Sequence, residues 1–323
     1  MKSSTVKVTL AFDLGHKFVS DLQATFPNVE FRTAYSPEER LKEAPDTEVQ
    51  FGLIDRETYL AASNLRWFHF IGIGFDGTLK EIPEIIDSDT IMTNTRETHV
   101  IPISEHVFAM MLAFAHRVPE LLDDQHKHHW ETKKYKGRII ELANTTMGVV
   151  AMGDIGTAVA KRAQAFDMDV YAVDIKEMNP PPGVAEVWDV SCLDDLLKIS
   201  DWLVITAPLT DQTRDMIGLK EIERLKSGAH VIVVSRGSIV NEAALIQGLR
   251  SGHIAGAALD ATATEPLPSD SPLWDEPNVI ISPHACAEST QLLERRGQIF
   301  KENLRRYLSD DPLINLCDTE AGY

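Results

Sequence analysis

Three residues in the C-terminal half have side chains suited to chemistry on a small carboxylic acid. Arg236 follows an apolar run, Glu265 lies in a loop before a proline, and His284 follows another apolar run. An arginine guanidinium binds a carboxylate through two parallel hydrogen bonds, and an imidazole paired with a carboxylate transfers a proton near neutral pH. Together the three residues predict chemistry at the carbon atom next to a carboxylate.

Each of these residues also has a purely structural interpretation. Arg236 is compatible with a surface ion pair, Glu265 with a loop acid and His284 with a buried core histidine. Arg236, however, directly follows a predicted strand, and open α/β sheets bind ligands at the carboxyl ends of their strands. The occurrence of all three residues in such positions favours one common site.

A second motif predicts a dinucleotide site. Residues 148–156 read Gly-Val-Val-Ala-Met-Gly-Asp-Ile-Gly, follow a predicted strand and precede a helix predicted over 157–166. In this motif Gly153 lets the backbone approach a pyrophosphate, Gly156 allows close packing of helix on strand, and the helix N-terminus supplies N–H donors. An acid at the end of the next strand binds the ribose hydroxyls. The candidate cofactor residues of this motif are Gly153, Asp154, Ile155, Gly156 and Asp174.

Two positions of this motif bear on the strength and type of cofactor binding. Ala151 stands where the first glycine of the motif belongs. Its Cβ costs about 1 kcal/mol, but only if the turn requires a positive φ or a very close approach. Asp174 favours NAD over NADP because a carboxylate repels the 2′-phosphate, although the nearby Lys176 weakens this preference. The alternative for Asp174 is a helix cap or a solvated turn acid.

The elements that position these residues alternate between strands and helices. Such alternation predicts an α/β fold with parallel sheets, and a chain of 323 residues exceeds one ordinary compact core, which favours two domains. The first series has predicted strands at 6–11, 29–31, 49–54, 67–71 and 91–92, with helices at 16–26, 37–43 and 58–63. The second series has predicted strands at 147–151, 170–173, 202–206, 230–234, 257–259 and 279–281.

Two helices and the C-terminal tail lie outside this alternation. An apolar helix over 103–116, opened by Pro102, needs burial against a domain or a second subunit. We therefore expect a homodimer formed through the helix near residues 102–121. The amphipathic helix over 289–308 is expected to return to the first domain, and residues 310–323 are predicted to be a loose strap.

Composition and charge exclude several classes of protein. The formal charge of −18 disfavours nucleic acid as a partner, and no apolar run near the ~20 residues of a membrane span is expected. The cysteines Cys192, Cys286 and Cys317 are too few for a disulfide framework or a metal site, and Cys286 is interpreted as a small apolar filler. The N-terminus lacks a signal peptide, so we expect a cytoplasmic protein without a metal.

The chain resembles the D-2-hydroxyacid dehydrogenases, the NAD-dependent family that includes D-lactate, glyoxylate/hydroxypyruvate and D-3-phosphoglycerate enzymes. The resemblance implies two Rossmann-like parallel-sheet domains with a cleft between them. Residues 1–98 with 288–323 would form a flavodoxin-like substrate domain, and 99–287 an inserted NAD-binding Rossmann domain. Besides the dinucleotide motif, the resemblance covers nearly the whole chain and rests on segments 72–76, 104–106, 207–213, 235–242, 259–267 and 283–284.

The resemblance also implies roles for single residues. Arg236 would bind the substrate carboxylate, His284 would be the acid/base, and Glu265 would orient the histidine. The implied reaction is reversible hydride transfer between NAD(H) and C2 of a small D-2-hydroxy acid, most simply as a reductase of glyoxylate-like or hydroxypyruvate-like 2-oxo acids. The backbone at Ile73 and Gly74 would complete the carboxylate site, and Pro208, Thr213, Val234 and Asp260 would line the cofactor cleft.

Alternatives within the same family remain. D-3-phosphoglycerate dehydrogenase and a non-enzymatic NAD-binding dimeric corepressor keep the same three residues, although the disordered tails of such corepressors are missing here. Glu265 disfavours a formate dehydrogenase, which has glutamine there, and Ile73 disfavours a phosphite dehydrogenase, which has lysine there. Asn241 stands where an acid is common in the family. Because the sequence ends at residue 323, we expect no C-terminal regulatory module.

Overall fold

The computed structural model describes residues 5–317, and the chain divides into two compact units. Unit 1 consists of Met1–His99 and Ser289–Tyr323, and unit 2 consists of Val100–Glu288. The chain therefore crosses between the units twice, after His99 and after Glu288. Each crossing lies one residue beyond the boundary that the family resemblance implies.

Strands and helices alternate along both units, as the sequence pattern predicts. In chain order the strands are β1 (Val6–Ala11), β2 (Val29–Thr33), β3 (Val49–Gly52), β4 (Trp67–Phe70), β5 (Ile91–Thr93), β6 (Thr146–Val150), β7 (Asp169–Asp174), β8 (Glu186–Asp189), β9 (Trp202–Ile205), β10 (Ala229–Val233), β11 (Ile254–Leu259) and β12 (Val279–Ile281). The helices are α1 (His16–Thr25), α2 (Pro37–Glu43), α3 (Arg56–Ala61), α4 (Asp76–Glu81), α5 (Val100–Ala115), α6 (Val118–His126), α7 (Asp154–Gln164), α8 (Leu193–Ile199), α9 (Leu219–Arg224), α10 (Glu242–Arg250) and α11 (Leu292–Leu308).

Unit 1 contains a five-stranded parallel sheet. Its order, β2-β1-β3-β4-β5, is that of the flavodoxin-like fold. The core stacks aromatic rings from the sheet on α11, with the Phe300 ring centroid 4.4 Å from that of Phe51 and 5.6 Å from that of Trp67. The prediction that the last helix returns to the first domain is therefore confirmed.

The segment after α11 is packed, which makes the predicted loose strap over 310–323 wrong for its described part. Leu316 forms an antiparallel bridge with Thr93, and Cys317 N donates to Met92 O at 3.0 Å. The buried Asn303 side chain bonds both the N–H and the C=O of Ile314, at 2.8 and 2.9 Å. An apolar sequence pattern does not indicate such backbone bonds, which is why the packing of this segment was not predicted. The rest of the predicted strap, residues 318–323, lies outside the described residues.

Unit 2 contains a seven-stranded parallel sheet of order β12-β11-β10-β9-β6-β7-β8. This is the Rossmann order extended by one strand, β12. Strand β8 was not predicted from the sequence; within the described chain it pairs only with β7, and it is exposed or half-exposed along its length. A short edge strand buries little side-chain area, so its sequence carries no continuous apolar run.

The apolar helix predicted over 103–116 corresponds to α5, but the region near residues 102–121 that we expected to form the dimer contact contains parts of two helices. The structure has α5 and α6 separated at Arg117, whose φ is 58°. Pro119 lies in the first turn of α6, where its missing N–H is harmless, whereas in a continuous helix its ring would clash with the preceding turn. Pro102 is the third residue of α5.

One helical segment is apolar enough to resemble a membrane span. Arg96–Ala115 covers 20 residues with a mean hydropathy of 1.3, so the expectation that no run approaches spanning length is wrong. Within this helix, 56% of an apolar stretch of 18 residues is nevertheless buried inside the protein. Val107 and Met111 pack with Val149 and Val159 in the core of unit 2, and a helix buried on several sides has this composition.

The parallel sheet of unit 2 determines where the candidate residues lie. Strands β6, β10, β11 and β12 all run in the same direction, so their carboxyl ends meet at one edge of the sheet. The segments that follow these ends are the dinucleotide motif and the loops of Arg236, Glu265 and His284.

Candidate active site

The structure brings His284 and Glu265 together in unit 2. His284 Nδ1 lies 2.9 Å from Glu265 Oε2, and the two side chains are 44% and 40% exposed. Because an ionised carboxylate only accepts hydrogen bonds, the bond places a proton on Nδ1 and leaves Nε2 for another partner. The pair therefore has the geometry of an oriented proton donor or acceptor that is open to solvent.

Backbone contacts fix both members of this pair. Glu265 Oε1 accepts a hydrogen bond from Thr262 N at 3.1 Å, and His284 N donates to Asp260 O at 2.8 Å. His284 also has a φ of 53°, which a residue with a side chain adopts at a cost of about 1 kcal/mol. Non-glycine residues in this region concentrate at functional sites, where the surrounding contacts maintain them.

The loop of Arg236 packs directly on the loop of Glu265. A Cβ atom on Gly237 would lie 2.1 Å from the backbone carbon of Thr262, so only glycine fits there. Arg236 itself is half-buried, and its Nη1 donates to Ser235 O at 3.0 Å. The contact from Gly237 through Thr262 to Glu265 and His284 joins the loops of all three predicted residues.

Asp260 anchors the loop that carries His284. Its side chain is 3% exposed, and Oδ1 accepts hydrogen bonds from Ser282 Oγ at 2.6 Å, Ala285 N at 3.0 Å and Cys286 N at 3.1 Å. This anchoring role is additional to the cofactor contact that the family resemblance implies. Burial, and secondly Asp260, raise the pKa of the Cys286 thiol, which agrees with its interpretation as a core residue.

The dinucleotide motif has the geometry that a pyrophosphate requires. The helix α7 begins at Asp154, earlier than predicted, with Gly153 as its N-cap residue. A Cβ on Gly156 would lie 2.5 Å from Ala151 O, whereas a Cβ on Gly153 would meet nothing within 4 Å. Gly156 therefore permits the close helix–strand approach, and the space at Gly153 fits a phosphate bound to the helix N-terminus.

Ala151 occupies a strained position in this motif. Its φ is 76°, so the turn does require the conformation that favours glycine, and the alanine costs about 1 to 2 kcal/mol. Ala151 N donates to Val173 O at 2.9 Å, and Ala151 O accepts from Thr206 Oγ1 at 2.7 Å. These two bonds hold the turn in place despite the strain.

Asp174 is tied to the same turn. Its Oδ2 accepts a hydrogen bond from Met152 N at 2.7 Å and its Oδ1 from Lys176 N at 2.8 Å. The side chain remains half-exposed at the end of β7, and the next described helical segment begins only at Val190. Asp174 is therefore a turn acid rather than a helix cap, and its oxygens have acceptor capacity left for ribose hydroxyls.

The remaining candidate residues lie in different environments. Thr213 Oγ1 donates to Pro208 O at 2.7 Å and closes the exposed turn after β9. The side chain of Val234 is buried in the core of unit 2. Ile73 and Gly74 lie in unit 1 between β4 and α4, where Asn94 Nδ2 donates to Ile73 O at 2.8 Å. Their assignment to the carboxylate site stays a prediction from the family resemblance.

Several residues that organise the site were missed in the sequence. Glu242 Oε1 accepts a hydrogen bond from Ala263 N at 2.7 Å, and Asn241, the family departure, caps α10 through Ala244 N at 3.0 Å. The glycine at position 237, directly after Arg236, is the one local feature of the sequence that indicates a close contact between two backbone segments. The hydroxyl groups of Thr206 and Ser282 had no sign in the sequence, because their partners lie far along the chain.

A family comparison identifies the fold and the site together. The model of the D-isomer specific 2-hydroxyacid dehydrogenase NAD-binding domain matches residues 108–286, more than half of the chain. This chain combines two parallel-sheet α/β units, the dinucleotide motif and the paired histidine and glutamate, as the family resemblance implies. The chain therefore belongs to the D-2-hydroxyacid dehydrogenase family, and the predicted fold of two parallel-sheet α/β domains is confirmed.

Curated relatives include two kinds of enzyme. A D-3-phosphoglycerate dehydrogenase of Archaeoglobus fulgidus is 32% identical over 317 residues, which cover 96% of this chain and 59% of that protein. A glyoxylate reductase of Korarchaeum cryptofilum is 32% identical over 273 residues, which cover 83% of this chain and 80% of that protein. The chain thus spans little more than half the length of the phosphoglycerate dehydrogenases that it matches.

Solved structures show the same fold. A D-isomer specific 2-hydroxyacid dehydrogenase family protein from Aeromonas salmonicida has a TM-score of 0.86 at 26% identity, covering 98% of this chain and 100% of that chain. A D-isomer specific 2-hydroxyacid dehydrogenase from Xanthobacter autotrophicus Py2, in complex with NADPH and MES, has a TM-score of 0.84 at 26% identity, covering 99% and 100%. One neighbour therefore binds NADPH.

Proposed function

We propose that this chain is an NAD-dependent oxidoreductase that interconverts a small 2-oxo acid and the corresponding D-2-hydroxy acid. The observation that carries the proposal is the His284–Glu265 pair, 2.9 Å apart, on loops that pack against the loop of Arg236. These loops follow strands of the same parallel sheet as the dinucleotide motif. Family membership makes a dehydrogenase or reductase the simplest use of this arrangement.

The chain's own residues have distinct tasks in this reaction. Arg236 binds the substrate carboxylate through its paired N–H donors. The carbonyl oxygen gains negative charge during reduction, and His284 donates a proton to it from Nε2. Glu265 fixes the orientation and protonation of the ring at Nδ1, so that Nε2 faces the reacting oxygen in every cycle.

Residues of the dinucleotide motif would hold the cofactor. The pyrophosphate would bind at Gly153, Asp154 and Ile155, and the ribose at Asp174. When bound, the nicotinamide ring supplies or accepts the hydride at C2 of the substrate.

We further propose a preference for NAD over NADP. The Asp174 carboxylate is held at the motif by two backbone N–H groups and would repel a 2′-phosphate. The expected result is a kcat/KM for NADH well above that for NADPH, with the difference reduced in Asp174→Ala. Equal use of both cofactors by the wild type would contradict this preference.

The proposed substrates are glyoxylate-like or hydroxypyruvate-like 2-oxo acids. The support is the glyoxylate reductase of Korarchaeum cryptofilum, of which the chain covers 80%, against 59% for the phosphoglycerate dehydrogenase of Archaeoglobus fulgidus. A panel of glyoxylate, hydroxypyruvate, pyruvate, phenylpyruvate and 3-phosphohydroxypyruvate with NADH tests this choice. Preference for the phosphorylated acid would favour the phosphoglycerate alternative, and turnover of none would favour a cofactor-binding corepressor.

Two substitutions test the assigned roles. We expect His284→Ala to abolish most turnover while NADH affinity is nearly kept, and Arg236→Ala to impair substrate binding and turnover together. The exposed residues His126 and Arg214 provide matched controls as His126→Ala and Arg214→Ala. If both site variants reduce every 2-oxo acid at nearly the wild-type rate, the assigned roles are wrong.

We also propose a homodimer. The helix α6 and the segment after it expose large apolar side chains, including Leu121, Leu122, Ile139 and Trp130, which is 96% exposed. A second copy of the chain would cover such a surface. Light scattering after size exclusion should give twice the chain mass, and Leu122→Ser with Trp130→Ser should shift it toward the monomer. A monomeric wild type would overturn this assignment.

A cytoplasmic location completes the proposal. All three cysteines are free thiols, as is usual in a reducing compartment. Cell fractionation tests the location directly, and recovery of the protein outside the cytoplasm would contradict it.

A further inference from the structure

A chain of three side chains connects α5 with the loop that carries His284. His106 Nε2 lies 3.1 Å from Ser282 Oγ, and Ser282 Oγ donates to Asp260 Oδ1 at 2.6 Å. His106 lies 176 positions before Ser282, and all three residues belong to unit 2. None of the roles proposed above uses His106.

The chemistry of the three groups fixes the direction of the hydrogen bonds. A serine hydroxyl has one proton, and Ser282 donates it to the Asp260 carboxylate. The hydroxyl oxygen must therefore accept from His106, which places a proton on His106 Nε2. Burial lowers the pKa of His106, with Asp260 acting in the opposite direction, so the ring at neutral pH is a neutral donor with its proton on Nε2.

Asp260 transmits this contact to the loop of His284. The same Oδ1 atom that accepts from Ser282 also accepts from Ala285 N and Cys286 N, the two residues after His284. The loop then leads directly into the crossing to unit 1 at Ser289. The loop of His284 thus lies just before the point where the chain passes from unit 2 into unit 1. The bonds from Ser282, Ala285 and Cys286 attach the loop to one buried carboxylate on both sides of His284.

We propose that His106 is a positioning residue for His284, acting through Ser282 and Asp260. A donor on His106 Nε2 satisfies the Ser282 oxygen and holds the hydroxyl proton toward Asp260. Loss of this donor frees Ser282 to rotate, and the carboxylate then loses one of its three bonds to the loop. The proposal deepens the proposed function and, for its kinetic consequence, rests on it.

The kinetic test separates the donor from the volume of the side chain. His106→Leu keeps an apolar side chain of similar size, whereas His106→Gln keeps an N–H donor near the position of Nε2. For 2-oxo acid reduction we expect His106→Leu to lower kcat about 5- to 10-fold, the effect of one hydrogen bond, with KM for the 2-oxo acid within about 2-fold. His106→Gln should restore most of the lost kcat.

A lower kcat with an unchanged KM is expected because His106→Leu disturbs the loop of His284 and not the loop of Arg236. Arg236 binds the substrate from another loop, so ground-state binding and KM are kept, whereas His284 acts on charge that develops in the transition state. Met110→Leu, one turn further along α5 at a half-buried position, is the matched control and should change neither constant. Equal losses of kcat in His106→Leu and His106→Gln would overturn the proposal.

A nuclear magnetic resonance experiment tests the inference without any turnover. In full-length protein with 15N-labelled histidine, His106 should have its proton on Nε2, and Ser282→Ala should shift that resonance. The ring resonances of His284, assigned with His284→Ala, should shift or broaden in His106→Leu and recover in His106→Gln. Met110→Leu should leave them unchanged.

The two experiments distinguish the possible failures. A wild-type protein that reduces no 2-oxo acid overturns the proposed function, while the His284 resonances still decide whether His106 positions that ring. A proton on Nδ1 of His106, or His284 resonances that are identical in the wild type and His106→Leu, overturns the inference even in an active enzyme.

Discussion

The contact between Gly237 and Thr262 provides the sharpest test of the site, through the variant Gly237→Ala. The new Cβ atom would lie 2.1 Å from the Thr262 backbone carbon, 2.3 Å from its Cα and 2.5 Å from its oxygen. Ordinary contacts begin at 3.4 Å. All three obstructing atoms belong to the backbone, so the two loops must separate by about 1.3 Å, the difference between 3.4 and 2.1 Å.

The magnitude of the effect follows from this displacement. One loop carries Arg236 and the other carries Glu265, so separation changes the distance between the carboxylate-binding group and the proton-transfer pair. A misplacement of about 1 Å costs about 100-fold in rate. We therefore expect Gly237→Ala to lower kcat/KM for 2-oxo acid reduction about 100-fold, and to lower the free energy of unfolding by about 1 to 3 kcal/mol as in other overpacked sites.

The assay follows NADH oxidation at the nicotinamide absorbance, with urea unfolding measured on the same samples. Gly77→Ala is the matched control, because a Cβ there meets nothing within 4 Å and the residue is in α4. It should keep kcat/KM within about 2-fold and should raise the free energy of unfolding by at most about 1 kcal/mol, because alanine has the higher helix propensity. If Gly237→Ala keeps the activity of the wild type while folded, the two loops do not act as one site.

Three further predictions concern stability. Ala151→Gly should raise the free energy of unfolding, measured in urea, by about 0.5 to 1 kcal/mol. Glycine relieves about 1 to 2 kcal/mol of backbone strain, and this exceeds the cost of the greater conformational entropy of glycine in the unfolded chain. A decrease would contradict the assigned strain. Burial lowers the pKa of His69 to about 3 and those of His99 and His230 to about 4. As the pH falls, these histidines become protonated in the unfolded chain before they do in the folded protein. The free energy of unfolding should therefore be highest above about pH 6.5 and should fall by about 1.5 kcal/mol per histidine between pH 6.5 and 5. His230→Phe should reduce this fall by the contribution of one histidine. Asn303→Ala should cost about 2 kcal/mol in urea unfolding because two backbone groups of the C-terminal segment lose their partner, and a loss below about 0.5 kcal/mol would contradict that attachment.

Local pattern predicted most of the elements and failed where local signals were weak or opposed. The strands with continuous apolar runs end within three residues of their predicted ends, and Val6–Ala11 and Val279–Ile281 coincide with the prediction. The strand Glu186–Asp189 was missed because an exposed edge strand buries few side chains. The helix predicted over 103–116 matches α5, whereas α6, after the break at Arg117, was not predicted as a separate helix because it buries few side chains.

The sequence by itself determined the α/β class, the order of the two β/α series, the dinucleotide motif and the identity of the three candidate residues. These properties are local, because strand and helix periods, turns and glycine positions are written within short segments. Only the tertiary structure decided that His284 bonds Glu265, that Gly237 contacts Thr262, and that His106 reaches Asp260 through Ser282. Those contacts arise because a parallel sheet brings the carboxyl ends of distant strands to one edge, and no local pattern specifies which loop backbones then touch.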